Sequence, residues 1–241
     1  MSAAASGGGS GSALNLLDVA KRRLKTRLAI GEDYDPSLFC QDAVDHLDAT
    51  SMWAEKDQGG WRSYVGVIME RKWSDFFTME VLLAHARPRT VVELGTGAGA
   101  FAAYLAAYAY IAGARFATFD THRKGGVTKR VNHRSLALVR QLGGRHYERD
   151  VFAPATRAQI ARLVARPGVA LIYCDNGDKA RELRTYVDCL KPGDFIGVHD
   201  YNAEIFPGDV EPLLESGRCA LWHEPLCERA GSSNRFLRVV S

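Results

Sequence analysis

The chain has 241 residues, of which 46% are apolar and 24% charged, with a net charge of +3 at neutral pH. This length and composition predict one substantial globular domain, exclude wholesale disorder and give no indication of nucleic-acid binding. No apolar run reaches the roughly 18 residues that a bilayer span requires, so we expect no contact with membranes.

Cysteine usage points to a reducing compartment. The five cysteines are an odd number, form no C-x-x-C pair and lie mostly within apolar runs. This pattern favours structural thiols over disulfides or a zinc framework, and it predicts a cytoplasmic protein.

The N-terminal part of the chain differs from the rest. Residues 1–13 are low-complexity Ser, Gly and Ala, which predicts a disordered tail or an appended linker. Apolar residues at helical spacing predict a helix over 14–29, and a second short helix is expected over 37–49. The polar, aromatic and glycine-punctuated stretch 54–77 is typical of an irregular lid. We assign 14–70 to a helical and lid segment, which covers the acceptor of a reaction or forms a contact in a homo-oligomer.

The main predicted domain spans 71–241. Ser74 is predicted to cap a helix that runs to Ala86, where Arg87 and Pro88 end it. From residue 90 onward, short apolar runs alternate with helical stretches, as in a doubly wound α/β sheet. We predict strands at TVVEL, RFATF, RHYER, ALIYC, DFIGVH, CALWH and RFLRVV, with helices after the first five. Because EPLCERAGSSN has no helical period, the last two strands are predicted to pair as an antiparallel C-terminal hairpin on this mostly parallel seven-stranded Rossmann-like sheet.

A glycine-rich turn follows the first strand of this domain, in VVELGTGAGAFA. It is no P-loop, because Ala100 and Phe101 stand where a lysine and a serine or threonine are needed. The segment does satisfy the loose dinucleotide pattern, and Asp120 lies at the right distance to bind a ribose. An NAD-dependent oxidoreductase therefore stays open at this point.

Three features favour another ligand: glycines at alternate positions, Glu93 before them and the terminal hairpin. Together they resemble a class I S-adenosylmethionine-dependent methyltransferase over residues 65 to 241. The resemblance implies that the turn lies beneath the methionine and ribose, that the acid after the second strand binds the ribose, and that the residues after the third strand lie by the adenine. The implied cofactor-binding residues are Glu93, Gly95, Thr96, Gly97, Gly99, Asp120, Thr121, Asp150, Val151 and Asp175. A buried carboxylate also suits a sulfonium and repels a pyrophosphate.

The stretches CDNGD and KPGDFIGVHDY indicate a subgroup within this class of methyltransferases. With VGVIMERKWSDFFTMEVLL upstream, they resemble the subgroup of cephalosporin-hydroxylase-like and rhamnosyl O-methyltransferase-like proteins. In that subgroup acids after the fourth and fifth strands often hold magnesium, which implies Asp175 and Asp200 here, with Asn176, His199 or Asn202 as third ligand. His199 stands where an acid is often found, and magnesium prefers oxygen ligands, so the metal is left open.

Asp175 and Asp200 each end a strand, so both are expected at the carboxyl edge of the sheet beside the cofactor. Methyl transfer requires an aligned acceptor and a group that takes its proton. His199 is the predicted base because its ordinary pKa is near 6.5 and two acids flank it, whereas His122 and His223 are weaker candidates. The sequence thus predicts a methyltransferase acting on a hydroxyl of a small molecule such as a sugar or specialised metabolite. A module that binds the cofactor without catalysis is the remaining alternative.

Overall fold

A seven-stranded sheet organises the part of the chain that the computed structural model describes, which is residues 62–64, 67–69, 71–121, 123–124, 127–128 and 132–241. The predicted tail and the helices over 14–29 and 37–49 lie outside these residues, and so does His122. The division of the chain at residues 13 and 70 stays a prediction.

Strands and helices alternate along the described chain as the sequence predicts. The strands are β1 Arg62–Tyr64, β2 Val67–Met69, β3 Thr90–Leu94, β4 Arg115–Asp120, β5 Arg123–Lys124, β6 Val127–Thr128, β7 Arg145–Glu148, β8 Ala170–Cys174, β9 Phe195–Val198, β10 Cys219–Leu221 and β11 Arg235–Val239. The helices are α1 Trp73–Ala86, α2 Ala100–Ala112, α3 His133–Gln141, α4 Pro154–Val164, α5 Lys179–Tyr186, α6 Pro207–Glu215 and α7 Glu224–Arg229, with a 3₁₀ turn at Val187–Cys189.

The main sheet has the order β7-β4-β3-β8-β9-β11-β10. The first five strands of this order are parallel, and β11 is antiparallel to both β9 and β10. The predicted fold class is therefore confirmed, with the last strand of the chain inserted between its two predecessors. Every residue of β3, β8 and β9 is buried, because helices cover both faces of the sheet.

The chain changes direction across the sheet between β3 and β8. From β3 it winds outward to β4 and β7, and from β8 it winds the other way to β9. The carboxyl ends of these neighbouring strands leave a crevice, which is where doubly wound folds bind ligands. Separate apolar clusters pack on the two faces, one around Phe101 and Tyr173 and the other around Phe119 and Ile172, and they hold the strand ends in place.

Three local predictions were wrong. Ser74 does not cap α1: Lys72 is the N-cap, and its backbone N–H donates to the Asp75 carboxylate over 2.9 Å. The segment between β10 and β11 contains α7, a helix too short for its period to show, anchored by the buried Leu226. The stretch expected to be irregular contains β1 and β2, which pair as an antiparallel hairpin.

The end of α1 is as predicted, with Arg87 in the left-handed conformation at its C-cap. Among the described residues, no helix combines the length and apolar character that crossing a membrane requires.

Candidate active site

The glycine turn after β3 closes against the end of β8. Gly95 has φ of +97°, and a Cβ added there would lie 2.2 Å from the carbonyl oxygen of Asp175. Its backbone N–H donates to the Phe119 carbonyl over 2.7 Å, and the Asp175 N–H donates to the Leu94 carbonyl over 2.8 Å. Only glycine fits at this point, where the backbones of three strands converge.

Gly97 and Gly99 serve different purposes. A Cβ at Gly97, whose φ is +53°, would meet nothing within 4 Å, so open space lies over the turn at this residue. Gly99 is the N-cap of α2 with φ of +91°, and a Cβ there would lie 2.3 Å from Ser135 Oγ. The turn is therefore tight at its two ends and clear of side chains in the middle.

Asp120 closes one side of this space. It is fully buried at the end of β4, and its Oδ2 accepts a hydrogen bond of 2.9 Å from the Gly97 N–H. Thr96 lies within the turn with its hydroxyl 2.6 Å from that of Thr118, and Thr121 directly follows Asp120. The structure thus brings together the acid and the glycines that the sequence predicts as a cofactor site.

Asp150 and Val151 lie after β7, the parallel neighbour of β4, at the same edge of the sheet. The Asp150 carboxylate is exposed and accepts a hydrogen bond of 2.9 Å from the Phe152 N–H. Val151 is buried, and its carbonyl accepts from the Tyr186 hydroxyl.

Glu93 lies in β3, two residues before the turn begins at Gly95, and is fully buried. Neither of its carboxylate oxygens has a hydrogen-bond partner in acceptable geometry. Burial raises the pKa of Glu93 to about 8, although Thr118 and Arg71 oppose the shift. With this pKa the acid is mostly protonated at neutral pH, and a ligand that carries positive charge would favour its ionised form.

The acceptor side of the crevice is formed by the ends of β8 and β9. The His199 side chain is buried with its Nδ1 atom 3.2 Å from Asp175 Oδ1 and 3.1 Å from Asp200 Oδ1. Asp200 has φ of +57°, a strained conformation for a residue other than glycine. The three predicted catalytic residues therefore lie together.

The environment of His199 favours its protonated form. Burial and Arg71 lower its pKa, but the carboxylates of Asp175 and Asp200 outweigh them and raise the pKa of His199 to about 10. Burial alone would raise the pKa of Asp200, but its contacts with His199 and Lys179 hold that pKa below its ordinary value.

Two cations that the sequence analysis missed pair with these acids. The Arg71 guanidinium contacts the Asp175 carboxylate, donates to the Tyr173 hydroxyl over 2.7 Å and lies 3.9 Å from the centre of the Phe101 ring. Arg71 has no local signal, because Asp175 is 104 positions away in sequence. Lys179 had a weak local signal, because it follows Asp175 by four residues and lies on the first turn of α5.

Lys179 Nζ lies 2.9 Å from Asp200 Oδ2 and 3.5 Å from Asp175 Oδ1, and it also contacts the Glu204 carboxylate. Its side chain is only 3% exposed. Burial lowers the pKa of Lys179, but these three carboxylates outweigh it and raise that pKa, so the ammonium keeps its charge.

Asp75 supports His199 from behind. Its Oδ2 lies 3.2 Å from His199 Nε2, and its Oδ1 accepts hydrogen bonds of 2.8 Å from both the Ser232 hydroxyl and the Ser233 N–H. Burial alone would raise its pKa, but His199 lowers the pKa of Asp75 to about 2. The imidazole orientation is therefore fixed by a buried, ionised carboxylate.

The remaining described candidates make other contacts. Asn202 is exposed in a turn with φ of +65°, and the Asn176 N–H donates to the buried Glu182 carboxylate over 3.2 Å. His223 packs against Trp222 beyond β10, with ring centres 4.5 Å apart.

Asp175, His199 and Asp200 each offer one ligand atom, and these atoms lie within 4.8 Å of one another. One of the three ligand atoms is the nitrogen of His199, whereas magnesium prefers oxygen ligands. The Lys179 ammonium already lies against both carboxylates. These residues fit a magnesium ion poorly. The glycine turn fits S-adenosylmethionine, because the space at Gly97 is open, the Asp120 carboxylate lies beside it, and the buried Glu93 precedes the turn by two residues.

The strand order, with antiparallel β11 between β9 and β10, and the glycine turn at the crevice define the Rossmann-like fold of class I methyltransferases, as predicted. The solved structure of cmcI-N160 with SAH aligns with a TM-score of 0.53 at 17% identity, over 78% of this chain and 90% of that one. That of cmcI-D160 with Mg and SAM aligns with a TM-score of 0.52 at 18% identity, over 78% and 83%. CalS11, a TDP-rhamnose 3'-O-methyltransferase of calicheamicin biosynthesis in its apo form, aligns with a TM-score of 0.47 at 17% identity, over 92% and 93%.

No protein-family model matches the chain, and the comparison with curated proteins gave no match. At these identities the likeness to solved structures establishes the fold, and the activity is argued from the site.

Proposed function

We propose that the protein is an S-adenosylmethionine-dependent methyltransferase that methylates a hydroxyl oxygen of a small molecule. The observation that carries this proposal is the open space at Gly97, beside the buried carboxylate of Asp120. Asp120 suits the ribose diol, since a carboxylate accepts from two hydroxyls at once. Glu93 suits the positively charged ammonium of the methionine portion, which would supply the partner that its carboxylate lacks.

The same features disfavour an NAD-dependent oxidoreductase. A pyrophosphate would have to approach a turn that has the Asp120 carboxylate beside it, and like charges at short range in a buried site repel strongly. The dinucleotide fold also ends in parallel strands, whereas β11 is antiparallel to both of its neighbours here.

The acceptor side supplies the groups that methyl transfer to oxygen requires. The bound cofactor supplies an electrophilic methyl group on a sulfonium, and the acceptor oxygen must lie behind it. As the oxygen–carbon bond forms and the carbon–sulfur bond breaks, the hydroxyl proton leaves the acceptor. We propose that the cluster of Asp175, His199 and Asp200 receives it.

Within this cluster the roles follow from charge and exposure. Protonated His199 cannot accept a proton, and the contacts that hold the pKa of Asp200 below its ordinary value make that carboxylate a weak base, so transfer requires the neutral form of His199. The Asp200 side chain is 31% exposed, against 19% for Asp175, so Asp200 is the one more open to an acceptor. A cofactor bound with its sulfonium close to this cluster would lower the pKa of His199 and leave the imidazole able to act as the base.

The experiment is transfer of a labelled methyl group from S-adenosylmethionine to a panel of hydroxylated sugars and phenols by the full chain. Asp200→Asn is expected to bind the cofactor and lose transfer, and Asp120→Ala to lose both. Cofactor binding without transfer to any acceptor, in wild type and Asp200→Asn alike, favours the non-catalytic module. Transfer that survives Asp200→Asn at full rate contradicts the role given to Asp200.

A further inference from the structure

We infer that Lys179 supplies the resident cation of the acceptor site, in the position where the resemblance implied a magnesium ion. The inference deepens the proposed function, because it says how the acidic cluster that receives the acceptor's proton is held together. Lys179 is a positioning residue in this account: it fixes the carboxylates of Asp175 and Asp200.

The first argument is the coordination of the ammonium. A lysine ammonium has three N–H donors and no acceptor. Lys179 Nζ has three carboxylates around it: Asp200 at 2.9 Å, Asp175 at 3.5 Å and Glu204 in closer contact. With the side chain only 3% exposed, its donors are engaged by the acids that a metal ion would have to bind.

The second argument is the balance of charge. Asp175 and Asp200 are the two acids of the candidate metal site, and each already has a cation against it, Arg71 on the first and Lys179 on both. Metal binding would have to displace a buried ammonium and leave it without its partners, which is costly. Magnesium also gives up its own waters reluctantly, and the third group offered to it is the imidazole of His199.

The consequence for function concerns orientation. A metal ion fixes its ligands and binds the acceptor oxygen directly, whereas an ammonium fixes the carboxylates and leaves the acceptor to bind through their remaining lone pairs, since Asp200 Oδ1 also lies 3.1 Å from His199 Nδ1. Lys179 holds one oxygen of Asp200 and faces one of Asp175, while the other oxygen of Asp175 contacts Arg71. The Asp200 side chain remains the more exposed of the two.

The test is direct binding of Mn²⁺ alone, followed by electron paramagnetic resonance on the full chain without added cofactor. Wild type is expected to show no saturable binding at this site. Lys179→Met, which keeps the aliphatic stem, is expected to gain one site. Its affinity should exceed that of wild type by at least about tenfold, a change typical of groups around metal ligands. Adding Asp200→Asn to Lys179→Met should remove the gained site.

A matched control removes a lysine elsewhere. Lys191 pairs with Asp194 over 2.8 Å at the start of β9. Lys191→Met removes the same charge and should gain no Mn²⁺ site. If Lys179→Met fails to fold by circular dichroism, Lys179→Met with Glu204→Gln relieves part of the carboxylate repulsion and replaces it.

Two results overturn the inference. One is saturable Mn²⁺ binding to wild type that Asp175→Asn abolishes. The other is a folded Lys179→Met variant that gains no binding. Both are independent of the proposed function, which is decided by S-adenosylmethionine binding and methyl transfer: a chain that fails to bind the cofactor can still support or refute the role of Lys179.

Discussion

The two halves of the crevice are built in opposite ways. Around the turn after β3, the backbone supplies most of the surface, a Cβ position at Gly97 is open, and the buried Glu93 lacks a partner. Around the ends of β8 and β9, every acid has a cation against it, with Arg71, Lys179 and His199 in contact with Asp175 and Asp200. In the first half a buried acid lacks a hydrogen-bond partner, whereas in the second half the acids are paired with cations and the His199 Nδ1 atom is the one without a hydrogen-bond partner in acceptable geometry.

This difference has a physical consequence. A buried acid without a hydrogen-bond partner lowers the stability of the protein until a cationic ligand binds. The cofactor half therefore has lower stability when it is empty and a higher affinity for a cationic ligand. The paired half keeps its charges fixed before the substrate binds, which is how preorganised sites lower the barrier to reaction. Substitutions in the two halves should therefore separate binding from stability.

The largest effect is expected at Gly95. In Gly95→Ala the new Cβ meets the Asp175 carbonyl at 2.2 Å with φ of +97°, so we expect a loss of about 4 kcal/mol in the free energy of unfolding. Chemical denaturation followed by circular dichroism measures it. Gly97→Ala is the matched control. The new Cβ has open space around it, so the free energy of unfolding should fall by about 1 kcal/mol. The methyl group should nevertheless weaken cofactor binding, because it occupies that space. Equal stability losses would contradict the comparison.

Asp75→Asn tests the acceptor half. It removes the charged partner of His199 Nε2 and of the donors around Asp75, while Asp175 and Asp200 remain at Nδ1, so we expect a loss of about 3 kcal/mol in stability. The pKa of His199, followed by NMR titration, should fall. Asp188→Asn, at an exposed site, should change stability by less than about 0.5 kcal/mol. An unchanged His199 pKa would show that Asp75 does not support the imidazole.

Glu93→Gln should raise the free energy of unfolding, whereas the substitutions above lower it. The folded protein raises the pKa of Glu93 from its ordinary 4.5 to about 8, so the wild type loses stability as pH rises from 4.5 toward 8. Replacing the acid removes this loss, and we expect a gain of about 2 kcal/mol at pH 7. Unfolding measured at pH 5 and pH 7 checks it, with weaker cofactor binding expected in the same variant. A variant less stable than wild type at pH 7 would mean that Glu93 is satisfied in the folded protein.

The smallest effect concerns affinity alone. Asp120→Asn keeps an acceptor oxygen for the Gly97 N–H but loses the charge that would hold two ribose hydroxyls. We expect the Kd for S-adenosylmethionine to rise about tenfold, or about 1.4 kcal/mol, with little change in stability. Isothermal titration calorimetry measures this, and Asp150→Asn, an exposed acid at the same sheet edge, is the comparison variant. Unchanged affinity in Asp120→Asn would remove Asp120 from the cofactor site.

The sheet could be predicted from the sequence because its signals are local. Each of these signals can be recognised within a few residues: the continuous apolar runs of β3, β8 and β9, the alternate glycines, and the acids at strand ends. The same local signals predict that Asp175, His199 and Asp200 lie together, since neighbouring parallel strands end at one edge of the sheet. The helix α7 escaped prediction because six residues hold too little of a helical period.

The cations could not be predicted in the same way. Arg71 meets Asp175 across 104 positions of sequence, and nothing near Arg71 indicates that pairing. From the local sequence, Asp75 is expected only to lie in the first turn of a helix. Its contact with His199 depends on how α1 packs against the end of β9, which the local sequence does not indicate. Charge compensation in a buried site is a property of the folded packing, so the local pattern of acids leaves a metal ion open, whereas the packed cations disfavour one.

The central claim is that the glycine turn, with Glu93 and Asp120, holds an uncharged adenosyl group joined to a sulfonium. Calorimetric titration of the full chain with S-adenosylmethionine, and separately with NAD, tests it most directly. The account predicts saturable one-to-one binding of S-adenosylmethionine, weakened in Gly97→Ala, and much weaker binding of NAD. Tighter binding of NAD, or none of S-adenosylmethionine by the folded protein, would contradict it.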